Sequence, residues 1–298
     1  MAKIGFIGLG NMGVPMARNL STAGHEVYGY DVAPQARDAA AEEGLTIADS
    51  NSGAAESAEI VVLMLPNGAI ADTVANEVLA VMAQGSLLID CSTIDVATAR
   101  KIHQSADEKT VMCLDAPVSG GVGGADAGSL TFMVGGAQAA FEKGAPLFDV
   151  MGSKAVHCGD GGDGQAAKIC NNMLLGISMI GACEAFSLAD KLGLSKSALF
   201  DVVSTSSGSC WSVNTYCPVP GVGPQSPADN DYKAGFAAAL MLKDLSLSQE
   251  AAGDTSAATP LGQHATELYS AMVDAGNGGT DFSGMIRYLE TQTPNAVT

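Results

Sequence analysis

Lys3-Ile-Gly-Phe-Ile7-Gly8-Leu-Gly10-Asn-Met-Gly13 sets a short apolar run directly against the pattern G-x-G-x-x-G, and Val14-Pro-Met-Ala-Arg-Asn-Leu20 follows up to a stop at Gly24. The glycine pattern is weak evidence alone. Placed between a strand and a helix, it predicts a dinucleotide-binding turn. Gly8 makes the tight turn, Gly10 lets backbone N–H groups approach a pyrophosphate, and Gly13 lets helix and sheet pack closely. Asn11 and Met12 complete the loop. The anion rests on the positive end of the helix, so few basic side chains are needed.

Working outward, Glu26-Val-Tyr-Gly-Tyr30 reads as the second strand and Asp31 as its end. An acid there accepts hydrogen bonds from the adenosine ribose and repels a 2′-phosphate, and no Arg follows directly, which favours NAD over NADP. Asp31 as a simple helix cap before Pro34 is the competing reading. Three further strands are predicted at 60–64, 86–90 and 111–114, with helices near 68–82 and 95–106, giving a doubly wound parallel sheet of the Rossmann type. Ligands of such sheets bind beyond the carboxyl ends of the strands. Leu65, Pro66, Asn67 and Thr93 stand at two of these ends and are expected to border the ribose and nicotinamide, with ordinary turn and N-cap chemistry also open to them. The glycine-dense segment from Asp115 to Gly136 offers unobstructed N–H groups. With the Ser119 hydroxyl, these suit a carboxylate; a merely flexible loop is the alternative.

A helix is predicted from Gly164 to about Leu192. At ~1.5 Å per residue it is ~40 Å long, and apolar residues on all sides imply burial. Its first turns break that pattern. Gln165, Lys168 and Asn172 share one stripe, continued by Leu175, Met179 and Cys183, because residues three and four apart lie on one face. A lysine and amides on a greasy face are costly to bury without partners. A lysine snorkelling to solvent is the bland alternative. Beyond the helix the chain reads as essentially all helical, with segments near 195–205, 236–252, 260–275 and 282–290. Lys243 interrupts a second apolar helix there, and Trp211, the only tryptophan, fits a core position best when taken alone. The expected domains are 1–162 for the dinucleotide and an all-α C-terminal domain over 163–298, joined by the long helix.

The 298 residues are too many for one ordinary core. A net charge of −18 with only 14 Lys and Arg excludes non-specific binding to nucleic acid or anionic membranes. The seven cysteines are odd in number and scattered, and with four His they show no metal-ligand spacing. Buried reduced thiols, no metal and a cytoplasmic location are therefore expected. No basic presequence is seen, and Lys168 and Glu184 bracket the most apolar run, which argues against a membrane span.

Four stretches, in order, give the chain its resemblance to the β-hydroxyacid dehydrogenase family: Phe6-Ile-Gly-Leu-Gly-Asn-Met-Gly-Val-Pro-Met-Ala, Asp115-Ala-Pro-Val-Ser-Gly-Gly, Gly162-x-Gly-x-x-x-Lys168-x-x-Asn-Asn172, and Lys243-Asp-Leu. Ser209-Cys-Trp-Ser, Cys217-Pro-Val-Pro-Gly, Gly235-Phe and Asp281-Phe-Ser resemble the branch acting on 3-hydroxyisobutyrate. The resemblance implies an active site between the two domains. Lys168 is then the catalytic acid/base and Asn172 its partner on the substrate. Ser119, Gly120 and Gly121 hold the substrate carboxylate, Lys243 lies near the cofactor, and Trp211 and Phe236 wall the substrate pocket. The implied reaction is NAD-dependent oxidation of 3-hydroxyisobutyrate to methylmalonate semialdehyde by a homodimer or homotetramer. Tartronate or succinic semialdehyde are alternative substrates. A non-catalytic NAD-binding scaffold is disfavoured because both Lys168 and Asn172 persist, and an imine reductase because such relatives usually replace the lysine.

Overall fold

Alternation within the first strands explains why they form a sheet covered on both faces. Ile4 and Phe6, Ile60 and Val62, and Leu87 and Ile89 enter one buried cluster, while Ile7, Val61, Leu63 and Leu88 enter another. Strands apolar at every position need helices on both sides. The computed structural model describes residues 1–292 and supplies them. The chain divides into two compact units, Met1–Lys168 and Ile169 onward. The division falls inside the long helix, six residues beyond the expected boundary.

In the first unit the elements run β1 (Lys3–Ile7), α1 (Gly13–Thr22), β2 (Glu26–Tyr30), α2 (Pro34–Glu42), β3 (Thr46–Ile47), α3 (Asn51–Ala55), β4 (Ile60–Leu63), α4 (Gly68–Leu79), β5 (Leu87–Asp90), α5 (Val96–Glu108) and β6 (Met112–Asp115). Then come β7 (Val118–Ser119), α6 (Gly121–Asp126), β8 (Leu130–Gly135), α7 (Gln138–Met151) and β9 (Gly152–Gly159). The sheet order is β3-β2-β1-β4-β5-β6-β8-β7, with β9 beside β8. Strands β1 to β6 pair in parallel, as a doubly wound sheet requires. The expected doubly wound parallel sheet is present, and past β6 it gains a mixed edge where β8 pairs antiparallel with both β6 and β7. Between β6 and β8 the chain forms β7 and the six-residue α6, and β7 returns to pair antiparallel with β8 in place of a helix-covered crossover.

Helix α8 spans Asp163–Lys191. It is long and apolar enough to cross a membrane. Its polar stripe is nevertheless buried inside the protein, Gln165 at 0%, Lys168 at 7% and Asn172 at 2% exposure, together with Met179 and Cys183. Burial all round does not hold, because Leu174 and Leu188 are exposed.

The second unit continues with α9 (Lys196–Val203), α10 (Trp211–Asn214), α11 (Ala238–Thr255), α12 (Pro260–Met272) and α13 (Met285–Gln292), plus short 3-10 turns at Pro227–Asn230 and Phe282–Gly284. Its core gathers Met179, Phe186, Tyr232, Met241, Leu245, Tyr269 and Phe282. The short α10 and both 3-10 turns carry too few residues to show a helical period. Of the seven thiols, all free, Cys91, Cys113, Cys183 and Cys217 are buried; Cys170 is exposed and Cys158 and Cys210 half-buried, so the expectation of buried thiols holds only in part.

Candidate active site

The glycine turn is shaped by three separate demands. Gly8 has φ +97°, and a Cβ there would strike the Met64 carbonyl. A Cβ on Gly13 would sit on the Gly8 carbonyl oxygen. Gly10 differs: a Cβ there meets nothing within 4 Å. Packing inside the protein does not require that glycine, so its bare backbone leaves room for a group arriving from outside. No side chain caps the first turn of α1, where Val14 N donates to the Gly10 carbonyl and Pro15 has no N–H, so the positive end of the helix meets that space through the turn backbone and the dipole. These features fit a dinucleotide pyrophosphate.

Asp31 closes the same group. Its Oδ2 accepts from Leu9 N and its Oδ1 from Ala33 N, both at 2.8 Å. It is not the cap of α2, whose N-cap position is Ala33. Each oxygen keeps a further lone pair for ribose hydroxyls. Arg37 is a further member that the motifs do not contain. It donates to the backbone carbonyls of Asp31 (2.6 Å) and Val32 (3.2 Å), and its guanidinium lies 5.6 Å from the centre of the Tyr30 ring. Its six-residue offset from Asp31, across a turn into a helix, hides it from a search for a directly following Arg.

At the ends of β4 and β5, Asn67 caps α4 by accepting from Ile70 N at 3.0 Å. Leu65 N donates to Ser92 Oγ at 2.9 Å. Wholly buried Gln165 ties this segment to α8: its Nε2 donates to the Ser92 carbonyl (2.7 Å) and its Oε1 accepts from Ile94 N (3.1 Å), bracketing Thr93.

Asp115 holds the start of α8. Its Oδ1 accepts from Gly162 N (2.7 Å) and lies 2.9 Å from His103 Nε2, while its Oδ2 accepts from Gln165 N (2.9 Å). A carboxylate over a helix N-terminus satisfies donors that have no partner within the helix and meets the positive end of the dipole. Lys168, one turn on, donates from Nζ to the Val118 carbonyl at 2.8 Å. Val118 lies three residues past Asp115 and beside Ser119. One acid therefore fixes both the mount of the amine and the segment it reaches. The glycine-dense segment is no slack loop: Gly120 and Gly121 take φ +136° and +62° and open α6.

Asp90, the register neighbour of Asp115 on β5, is also buried. Its Oδ1 accepts from Ser92 N at 2.9 Å, but its Oδ2 has no hydrogen-bond partner among the described residues. Burial pushes this carboxyl up to about 6, with the nearby Asp115 adding to the rise and hydrogen bonds from Ser92 opposing it.

In the second unit Asn172 Nδ2 donates to Asp244 Oδ2 at 2.5 Å, and its Oδ1 accepts from Asn171 Nδ2 at 2.9 Å. Lys243 Nζ lies 3.1 Å from the other oxygen of Asp244. Trp211 is 49% exposed, so the core position expected for it does not hold. It stacks on Tyr216 with centroids 4.9 Å apart and planes at 21°. Phe236 packs edge-on against Phe282 at 5.6 Å.

The named residues thus form five groups: the glycine turn with Asp31, the β4 and β5 ends where Leu65 meets Ser92 beside Thr93, Lys168 with Ser119, Asn172 with Lys243, and Trp211 with Phe236 through intervening rings. Besides Arg37, the members to which sequence reasoning assigns no role are Asp115, Gln165 and Asp244. Their signal is present as polar residues inside or beside the motifs. Among the described residues, no cluster of three His, Cys, Asp or Glu is placed to hold a metal.

Comparison with known proteins agrees with this geometry. Residues 3–159 match the family model described as the NAD binding domain of 6-phosphogluconate dehydrogenase, and residues 162–289 that described as NAD-binding of NADP-dependent 3-hydroxyisobutyrate dehydrogenase. A Pseudomonas aeruginosa protein named 3-hydroxyisobutyrate dehydrogenase is 49% identical, covering 96% of this chain and 97% of its own. The human mitochondrial 3-hydroxyisobutyrate dehydrogenase is 45% identical over 97% of this chain and 87% of its own. The structure of the Mycobacterium tuberculosis 3-hydroxyisobutyrate dehydrogenase with L-serine superposes with a TM-score of 0.93 at 48% identity, over 97% of this chain and 99% of that one. A bare glycine turn closed by an acid and a buried lysine beside a serine-glycine-glycine segment therefore meet full-length similarity, and the chain belongs to the β-hydroxyacid dehydrogenase family of NAD-binding oxidoreductases.

Proposed function

We propose that this chain oxidises (S)-3-hydroxyisobutyrate to methylmalonate semialdehyde, with NAD preferred over NADP, as in valine degradation. The observation that carries the reading is the buried Lys168 amine, held on the Val118 carbonyl next to Ser119. When bound, the nicotinamide accepts the hydride, which leaves orientation and proton handling to the protein. The Ser119 hydroxyl and the N–H groups of Gly120 and Gly121 hold the substrate carboxylate. Lys168 takes the proton from the 3-hydroxyl oxygen and returns it in the reverse reaction. One amine can do both because it accepts a proton as a base and gives it back as an acid at the same place. Asn172, one turn on, has one amide proton committed to Asp244 and offers the second to the substrate. Lys243 serves the cofactor, while Trp211 and Phe236 wall the substituent at C2. Asp31 selects NAD through the ribose hydroxyls.

The M. tuberculosis relative is solved with L-serine, which favours a second reading. L-Serine is a 3-hydroxy acid with an amino group where 3-hydroxyisobutyrate has its methyl, so the site would serve small 3-hydroxy acids more broadly. Steady-state turnover on 3-hydroxyisobutyrate, 3-hydroxypropionate, L-serine and the reduced forms of tartronate and succinic semialdehydes, each with NAD and NADP, tests both. A kcat/KM highest for 3-hydroxyisobutyrate with NAD is expected. A higher value for another acid or for NADP overturns the corresponding part.

The proposed assembly is a homodimer or homotetramer, supported by exposed Leu174, Leu188, Leu192 and Leu261. Sedimentation showing only monomer at micromolar concentration removes it. A cytoplasmic location is proposed on the free thiols, and cell fractionation checks it.

A further inference from the structure

Trp211 offers about half its surface to solvent and so cannot be held by burial alone. What holds it is a chain of contacts inside the second unit. Its indole lies face to face with the Tyr216 ring. The Tyr216 hydroxyl donates to Asp281 Oδ2 at 3.0 Å, and that oxygen also accepts from the backbone N–H groups of Gly235 (2.9 Å) and Phe236 (3.0 Å). Asp281 Oδ1 accepts from Ser283 N (3.0 Å) and Ser283 Oγ (2.7 Å). Phe282 fills the space between, 5.3 Å from the Tyr216 ring and 5.6 Å from that of Phe236.

Asp281 is wholly buried, an expensive place for a carboxylate. Five donors from neutral groups surround it, so each oxygen is satisfied and the orientation of every donor is fixed in turn. One oxygen ties the backbone that carries Phe236 to the phenol that carries Trp211. Gly235 belongs to the same device, because a Cβ there would come within 2.8 Å of the Tyr216 hydroxyl oxygen. Burial and the neighbouring carboxylate push the Tyr216 phenol far above its ordinary range, so it remains a donor at any working pH.

We propose that Tyr216 and Asp281 are positioning residues for substrate selectivity: together they fix Trp211 and Phe236 relative to one another and so set how strongly the enzyme favours a methyl group at C2 of a 3-hydroxy acid. The proposal rests on the reading of Trp211 and Phe236 as the substrate wall. An apolar contact with one methyl group gives about 10-fold discrimination or more when the wall is rigid, and less when it can move.

The test compares kcat/KM for (S)-3-hydroxyisobutyrate with that for 3-hydroxypropionate, the same acid without the methyl, in the full-length enzyme. Trp211→Ala is expected to bring the ratio close to one. Tyr216→Phe keeps the ring and removes only the hydroxyl; it is expected to lower the ratio about 3-fold or more, mainly through KM for the methylated acid. Asp281→Asn is expected to lower it at least as far; should that variant fail to fold, Tyr216→Phe decides alone. If Trp211→Ala changes the ratio and Tyr216→Phe does not, the positioning role is wrong and the wall reading survives. Equal losses on both acids with Tyr216→Phe mark a purely structural clasp and likewise overturn the proposal. An unchanged ratio in Trp211→Ala overturns the wall reading and the inference with it.

Discussion

Asp115 in the first unit and Asp281 in the second are both buried acids surrounded by donors, yet they organise different things. Asp115 collects two backbone N–H groups from the start of α8 and the His103 ring, and so fixes a helix and the amine one turn along it. Asp281 collects backbone N–H groups, a serine and a phenol, and so fixes rings. On the proposed function, the first positions a group whose charge changes during the reaction and the second a surface whose value lies in shape. A buried carboxylate with both oxygens accepting hydrogen bonds is a precise fastener in either setting. What differs is the observable its loss should move: rate in the first unit, selectivity in the second.

The largest effect expected in the first unit is that of the amine itself. General acid–base groups contribute about 10²–10⁴-fold, so Lys168→Ala should lower kcat by roughly 10³-fold, with NADH affinity by fluorescence titration close to wild type. Near-normal turnover in that variant would remove the amine from the chemistry and leave Asp115 fastening a helix with no catalytic cargo. Asp115→Asn comes next. An amide turns a donor toward Gly162 N or Gln165 N, where an acceptor is needed. The start of α8 then shifts, and kcat should fall by about 10²-fold, since misplacement on the ångström scale costs that much. The comparison breaks if this variant alters the 3-hydroxyisobutyrate to 3-hydroxypropionate ratio instead of kcat, because the two acids would then do one job.

Much of this was legible in the chain. Strand–glycine–helix order fixed the Rossmann half, and a lysine on an apolar helical stripe marked the position that the structure buries against Val118. What escaped was whatever depends on two distant segments meeting. Asp115 and Gln165 lie 50 residues apart in sequence, Tyr216 and Asp281 65, and no local period reports such pairs. The antiparallel pairing of β8 escaped for a related reason, since strand direction depends on which distant segments meet and composition does not report it. Trp211 misled because bulk favours a core position on average, whereas here stacking on Tyr216 holds a half-exposed indole.

A third acid sharpens the contrast by having its donors at one edge of a ligand space. Both oxygens of Asp31 already accept backbone N–H groups, and Arg37 stands six residues on with its guanidinium at the Asp31 and Val32 carbonyls. Asp31→Ala removes the charge that opposes a 2′-phosphate and leaves that arginine in reach. The NAD to NADP ratio of kcat/KM should fall by at least about 10-fold, the scale of one lost charge repulsion. Adding Arg37→Ala should then cost NADP more than NAD. A wild-type enzyme that prefers NADP outright would refute the role of Asp31.

Asp90 is the exception among these acids, and its effect is the smallest. One oxygen has no donor among the described residues, and burial raises its carboxyl from the ordinary value to about 6. Between the unfolded value near 4 and the folded value, the native state therefore holds a proton that the unfolded chain has released. Its contribution to stability is complete below the unfolded value and is lost as pH rises through about 6. Linkage puts the loss attributable to this group at about 1 kcal/mol between about pH 5 and about pH 7. Asp90→Asn keeps the shape without the titration, so its stability relative to wild type should rise by that amount over the same interval, measured by urea unfolding. Were the difference flat with pH, Asp90 would have found a donor for its second oxygen and would join Asp115 and Asp281 as a satisfied fastener. A slope of the predicted sign would separate it from them by the one feature in which it differs, a carboxylate oxygen without a donor among the described residues.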